Sequence, residues 1–344
     1  MIRTIRKAAL VPGPLLLALL AGGPAWGAAA GDAAEGLLLV LNKHEDTLML
    51  FDVPAHRRVA TIKVGREPHE VAATPNGRKA YVANTREGSV SVVDLASATV
   101  VKTIRSERLV QPHGLAVTPD GRHLLVTSEG SQRVFAIETA GDTILRSMST
   151  TQKNAHMVAI QPDGRRAWVP NIASDTVTLL KIPELRILGH RPVGAGPEGI
   201  AVTANGRFVL VALQRTDQVA ILDASDGGVL TRLPTGRTPV RVTIAPNGFT
   251  ALVANRGSDD VTVVDVLERR VRARIPVGKK PGGMTMNARG TRGYICNNDS
   301  NSVSIVSIPG YQVTGTIETG AHPDGIAFVA RLPPGRGRGG GDRP

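Results

Sequence analysis

The residues best suited to chemistry are three histidines, each the second residue of a recurring five-residue segment. Two further copies of the segment carry a carboxylate at that position. Imidazole and carboxylate together form a ligand set that suits a divalent transition metal such as Cu or Zn. The histidines are His69 in PHEVA, His113 in PHGLA and His156 in AHMVA, and the carboxylates are Glu198 in PEGIA and Asp324 in PDGIA.

Three interpretations of these five residues are open at this point. The side chains could converge and hold one divalent cation, with Cu and Zn as the candidate metals. The carboxylates could instead raise the pKa values of the histidines and form an acid–base cluster. Each histidine could also be structural, capping a turn or forming a hydrogen bond to the neighbouring repeat.

The segments belong to a longer repeat that must position them. A turn glycine returns six times at intervals of 42 to 44 residues, in TPNG, TPDG, QPDG, TANG, APNG and NARG. Each turn lies between two short apolar runs, and two further runs follow with the alternation of a half-buried strand. Four antiparallel strands in about 40 residues form one blade of a propeller.

The copies of the second and third strands give the number of blades. AYVAN (80–84) and VSVVD (90–94) are typical, and each strand returns seven times. The chain enters on a second strand at Leu37 and leaves on a first strand at 325–329. The sequence therefore predicts an all-β, seven-bladed β-propeller whose C-terminal strand joins the N-terminal blade and closes the ring.

The wording of the repeats resembles the YVTN-repeat β-propeller family. The resemblance rests on YVAN followed by SVSVVDL and on PHGLAVTPDG, and it covers residues 37 to about 330. It implies that the first strand of each blade lines a central channel, with the five-residue segments at one mouth. Members of that family include surface-layer and periplasmic binding proteins, and related propellers include lactonases and copper enzymes, so the fold does not choose a chemistry.

If the five-residue segments lie at one mouth of the channel, the second residues of successive segments follow one another around that mouth. Their order is Asp324, His69, His113, His156, Glu198, Val240 and Gly282. The sequence therefore predicts that the first five lie on one arc. The loops around Glu70, Arg241 and His322 are predicted to bind a ligand at the same mouth.

The two ends of the chain are predicted to lie outside the propeller. Residues 1–30 contain a basic start, an apolar stretch and small residues, which is typical of a bacterial Sec-type signal peptide. Cleavage would leave no transmembrane segment and a periplasmic or secreted protein. A short linker (31–36), the propeller (37–331) and a disordered Gly/Arg-rich tail (332–344) would follow.

The charge and composition of the chain bear on which macromolecules it could bind. The net charge of +12 permits binding of nucleic acid or an anionic polysaccharide. Aromatic residues make up only 3% of the chain, which disfavours nucleic acid because single strands stack on exposed rings.

The single cysteine, Cys296, excludes an intramolecular disulfide. A monomer is expected.

The sequence contains no GxSxG, HExxH or P-loop signature, so an enzyme is the less favoured interpretation. The leading hypothesis is an exported binding or scaffold protein that holds an unknown protein or a small ligand at the channel mouth or on the loop face. One alternative is a metal-dependent protein, either a lactonase-like hydrolase or a copper oxidoreductase, with the histidine cluster as its centre. The other is binding of an anionic polymer through the basic surface.

Overall fold

The computed structural model describes residues 36–330, and these residues form seven four-stranded antiparallel sheets. The prediction of an all-β, seven-bladed propeller is confirmed. The one helical element in the described range is a short 3-10 turn, Asn298–Ser300. None of the described residues belongs to a helix with the length and apolar character that crossing a membrane requires. The predicted signal peptide and tail lie outside the described residues.

The strands are numbered in chain order, and the blades are numbered from the N-terminus. Blade 1 contains β1 (Gly36–Asn42), β2 (Thr47–Val53), β3 (Arg57–Lys63) and β28 (Pro323–Ala330). Blade 2 contains β4 (Pro68–Ala73), β5 (Lys79–Asn84), β6 (Ser89–Asp94) and β7 (Thr99–Arg105). Blade 3 contains β8 (Pro112–Val117), β9 (His123–Ser128), β10 (Arg133–Glu138) and β11 (Thr143–Ser149). Blade 4 contains β12 (Ala159–Ile160), β13 (Arg166–Asn171), β14 (Thr176–Lys181) and β15 (Arg186–Pro192).

The remaining three blades repeat the same order without interruption. Blade 5 contains β16 (Pro197–Val202), β17 (Phe208–Leu213), β18 (Gln218–Asp223) and β19 (Val229–Pro234). Blade 6 contains β20 (Pro239–Ile244), β21 (Thr250–Asn255), β22 (Asp260–Asp265) and β23 (Arg270–Pro276). Blade 7 contains β24 (Pro281–Met286), β25 (Arg292–Asn297), β26 (Ser302–Ser307) and β27 (Gln312–Glu318).

The ring closes as the repeat predicts. The last strand, β28, pairs antiparallel with β1 and becomes the innermost strand of blade 1. Leu37 faces Val329 and Leu39 faces Ala327 in this pairing. Closure removes the two free sheet edges that an open row of blades would expose.

The hydrophobic core lies between adjacent blades. Between blades 2 and 3, Tyr81, Val92, Phe135 and Ile137 belong to one buried cluster. The middle strands are buried on both faces, whereas the outer strand β7 is mostly exposed. The packing of blade on blade therefore fixes where each innermost strand lies, and with it the channel mouth.

An asparagine ends the second strand in five of the seven blades and bonds the third strand. Asn84 Nδ2 donates to the hydroxyls of Ser89 and Ser91, at 3.0 and 2.9 Å. Asn297 bonds Ser302 and Ser304 in the same way. These side chains fix the second strand to the third.

Candidate functional site at the channel mouth

In every blade except blade 4, a β-bulge puts the second residue of the five-residue segment in a special position. In blade 2, Pro68 pairs with Asn84 and Glu70 with Ala83, so His69 between them has no partner of its own. The innermost strands of blades 3, 5, 6 and 7 shift register at the same place. A bulge re-aims a side chain away from the regular sheet alternation. The local backbone therefore turns these side chains toward the channel mouth.

Glycines at the third position let adjacent innermost strands approach closely. A Cβ at Gly114 would lie 2.6 Å from the carbonyl oxygen of His156. A Cβ at Gly325 would lie 2.5 Å from the carbonyl oxygen of His69. The missing side chains thus bring the second positions of neighbouring blades into contact.

Blade 4 departs from the pattern because Pro170 replaces the usual residue in its second strand. Proline has no N–H to donate to a sheet ladder. Strand β12 is accordingly cut to Ala159–Ile160, and an isolated bridge joins Ala155 to Asn171. The backbone N–H of His156 donates to the Pro170 carbonyl at 3.0 Å.

The three predicted histidines form one stack. The ring centroids of His69 and His113 are 4.3 Å apart, and those of His113 and His156 are 3.8 Å apart. His113, in the middle, is only 2% exposed. Burial, and then the neighbouring charges of His156 and His69, lower the pKa of His113 well below its usual value. His113 is therefore neutral at pH 7.

Asp324 lies at one end of the stack and is 1% exposed. Its Oδ2 is 3.1 Å from His69 Nδ1 and 3.5 Å from Lys43 Nζ. The first separation suits a hydrogen bond but the angles do not, so the attraction is electrostatic. Burial raises the pKa of Asp324, but His69 and Lys43 outweigh it, and the net pKa is well below the ordinary value.

His156 lies at the other end, between two carboxylates. Its Nδ1 forms a very short contact with Glu129, and its Nε2 is 3.5 Å from Glu198 Oε1. Burial works to lower the pKa of His156, but the two carboxylates outweigh it and raise that pKa. Burial likewise works to raise the pKa of Glu198, whereas His156 and Arg241 hold it below the ordinary value.

Arg241 spans the channel from blade 6 to blade 2. Its Nη1 donates to Glu198 at 3.0 Å, and its Nη2 donates to Glu70 at 2.7 Å. Burial would lower the pKa of Arg241, but the two carboxylates raise it, so the guanidinium stays charged. The pKa of Glu70 is raised, because burial outweighs the opposing charge of Arg241. Glu70 and Arg241 therefore form a buried ion pair that lies across the channel.

Three residues of this cluster lie close enough together to be candidate ligands of one metal ion. One nitrogen of His113, one of His156 and one carboxylate oxygen of Glu129 all lie within 4.8 Å of one another. His69, Glu198 and Asp324 lie beside this group and pair with Glu67, Arg241 and Lys43 among others.

Glu129 was missed by the sequence analysis. It is the first residue after β9, and its backbone N–H donates to the Gln111 carbonyl at 3.0 Å, which fixes the loop over the next innermost strand. The repeat-equivalent residue in blade 1 is Lys43, which reaches Asp324. Glu129 and Lys43 could both have been identified from the sequence, because each is a charged residue directly after a second strand.

A cavity of about 510 Å³ opens on the same face of the ring, between the loops of blades 1 and 2. His322 does not line it, but its ring stacks on that of His44, which does, at 4.4 Å. The cavity is lined by Lys43, His44, Asp46, Arg66, Glu67 and Arg86.

Comparison with known proteins gives a family and a fold. The model of a family described as the cytochrome D1 heme domain matches residues 33–249. No functionally curated protein matches the chain. A structure of hydrazine synthase from Kuenenia stuttgartiensis is similar with a TM-score of 0.73 and 22% identity, covering 79% of this chain and 92% of that one.

A functionally unknown protein from Desulfotomaculum acetoxidans is also similar. Its TM-score is 0.76 at 17% identity, covering 85% of this chain and 98% of that one. At such identities the two structures establish the fold alone.

Proposed function

The chain belongs to the family of the cytochrome D1 heme domain, and from that premise we propose that it is a non-catalytic binding protein that holds a small anionic ligand at the channel mouth. The observation that carries the proposal is the cavity between blades 1 and 2. Its volume of about 510 Å³ is typical of small-molecule sites. Two arginines and a lysine line it against two carboxylates, so its charge favours an anion.

Two features of the described channel residues disfavour a heme. At the histidine end, Arg241 and Glu70 meet across the channel and the stacked rings leave no slot for a tetrapyrrole between them. Farther along, each innermost strand presents a small, half-buried residue that cannot supply an axial ligand to iron. These residues are Ala72, Ala116, Ala159, Ala201, Thr243, Thr285 and Ala327.

Export belongs to the same proposal. Residues 1–30 have the pattern of a bacterial signal peptide, which would deliver a monomeric propeller to the periplasm or beyond. The YVTN-like wording of the repeats supports this, because periplasmic binding proteins occur among the proteins it resembles. The linker 31–36 and the tail 332–344 complete the proposed domain organisation. Hydrolase or oxidoreductase activity and binding of an anionic polymer stay predictions.

The test is calorimetric titration of the purified protein with citrate, inorganic phosphate and acetate at low salt. We expect citrate to bind, with an affinity that falls as salt rises. The variant R66Q/R86Q should lose at least about ten-fold in affinity, since it removes two cationic partners of the anion. The matched control R57Q/R186Q removes the same charge from outer-strand positions and should bind as the wild type does.

Two results would overturn the proposal. One is the absence of binding by every anion of the series to the wild type. The other is equal affinity of R66Q/R86Q and the wild type, because the cavity would then not be the binding site.

A further inference from the structure

We propose that His113, Glu129 and His156 form a binding site for one divalent first-row transition ion of the Zn²⁺ class. The site goes beyond the proposed anion-binding function, because it lies between blades 3 and 4 and uses none of the residues that line the cavity between blades 1 and 2.

The first support is distance. Ligands bonded to a tetrahedral zinc at about 2.0–2.2 Å lie about 3.3–3.6 Å apart. The three candidate ligand atoms are all within 4.8 Å of one another, so shifts of about an ångström would close the site. Two imidazoles and one carboxylate also form the ligand set of catalytic zinc sites that keep an open position.

The second support is independent of distance. The Nδ1 of His113 is buried and has no hydrogen-bond partner among residues 36–330, and the buried Nε2 of His156 has no hydrogen bond and only the Glu198 carboxylate nearby, at 3.5 Å. His113 is 2% exposed and His156 is 8% exposed. A buried polar atom without a partner costs free energy, and a metal ion would satisfy it.

The third support is the construction of the site. Gly114 brings the innermost strands of blades 3 and 4 together, and Thr127 Oγ1 donates to both the Gly114 and His156 carbonyls. The loop that carries Glu129 is fixed by its backbone bond to Gln111. The three ligands are therefore held by the backbone of two blades before any ion arrives, as a preorganised site requires.

His69 belongs to the same stack but not to the site. Its Nδ1 faces Asp324, and its ring lies on the far side of His113 from His156. It therefore provides a control, since H69Q alters a polar neighbour of His113 in the same stack but removes none of the three proposed ligands.

The experiment uses the purified full chain, prepared without a metal-affinity column and stripped with a chelator. Zn²⁺ and Co²⁺ are titrated into the wild type, E129Q and H69Q, with binding followed by calorimetry and by the visible absorption of Co²⁺. We expect one ion per wild-type chain. Even loss of an outer-shell partner lowers metal affinity about 10–100-fold, so E129Q should lose at least about ten-fold. H69Q should bind as the wild type does.

X-ray absorption of the Zn²⁺-loaded wild type tests the site without relying on a variant. We expect two imidazole nitrogens and at least one oxygen at about 2.0 Å. Failure of the wild type to bind near one equivalent, a spectrum with fewer than two imidazoles, or an equal loss in H69Q and E129Q would each overturn the site. The anion titration can fail or succeed without affecting any of these results.

Discussion

The channel mouth has two arcs that share one backbone but differ in their side chains. The histidine arc, formed by His69, His113 and His156 in blades 2 to 4, is a stack of tilted imidazole rings, buried at His113 and His156 and half-buried at His69. The opposite arc, formed by Val240 and Gly282 in blades 6 and 7, presents an apolar side chain and none at all. Each arc includes two blades with the bulge, blades 2 and 3 in one and blades 6 and 7 in the other, and one closely approaching glycine, Gly114 or Gly283.

The difference teaches how a repeat produces a local site. Six of the seven blades have the same backbone at this position, so the site depends largely on which side chains occupy it. Arg241 connects the two arcs, because it starts in blade 6 and ends on Glu70 in blade 2. The carboxylates beside the histidine arc are thus neutralised by Arg241, a cation that belongs to the opposite arc.

The largest expected effect comes from removing that connection. R241M would leave Glu70 and Glu198 buried without their cation, and we expect a loss of about 3–5 kcal/mol in the free energy of unfolding. The matched control is R215M, which breaks an exposed ion pair with Asp175 and should cost less than about 1 kcal/mol. Urea denaturation measures both, and equal losses would contradict the role of Arg241.

Replacing Gly114 and Gly283, where neighbouring strands approach closely, with alanine tests whether the two arcs have the same backbone conformation. A Cβ would lie 2.6 Å from a carbonyl oxygen at Gly114 and 2.0 Å at Gly283. We expect G114A and G283A each to cost about 1–3 kcal/mol, because the neighbouring strand must move. G141A is the control, since its Cβ would meet nothing closer than 3.5 Å. A large loss on one arc alone, measured by denaturation, would show that the arcs differ in backbone too.

Asp324, at the edge of the histidine arc, should make stability depend on pH. Its folded-state pKa is depressed, so its contribution is complete above the unfolded value of about 3.9 and is lost as the pH falls below it. We expect the stability difference between the wild type and D324N to be largest at pH 5–7 and to shrink toward pH 3. Urea denaturation at each pH measures this difference. A difference that stays constant from pH 7 to pH 3 would contradict the depressed pKa.

The smallest effect is expected at the rim, away from both arcs. His44 and His322 stack at the exposed surface. We expect H44A to change the free energy of unfolding by no more than about 0.5 kcal/mol, as is usual for surface substitutions. A loss comparable with that of R241M in the same assay would show that this stack helps to hold the closed ring.

Much of the fold follows from local pattern. The TPNG-type turns and the alternating runs recur often enough to give blade number, strand order and ring closure, because each blade repeats the same short-range chemistry. Only blade 4 differs, where Pro170 shortens β12. The roles of the recurring asparagines were not predictable in the same way, since their partners lie across the hairpin.

The candidate site divides along the same line. By itself, the sequence determined that His69, His113, His156, Glu198 and Asp324 occupy one repeat-equivalent position, since the period fixes equivalence. Only the tertiary structure decided that Glu129 reaches His156, that Lys43 reaches Asp324 and that Arg241 crosses to Glu70. These contacts join residues of different blades or different strands, so they depend on how blades pack around the channel and on no pattern within one repeat.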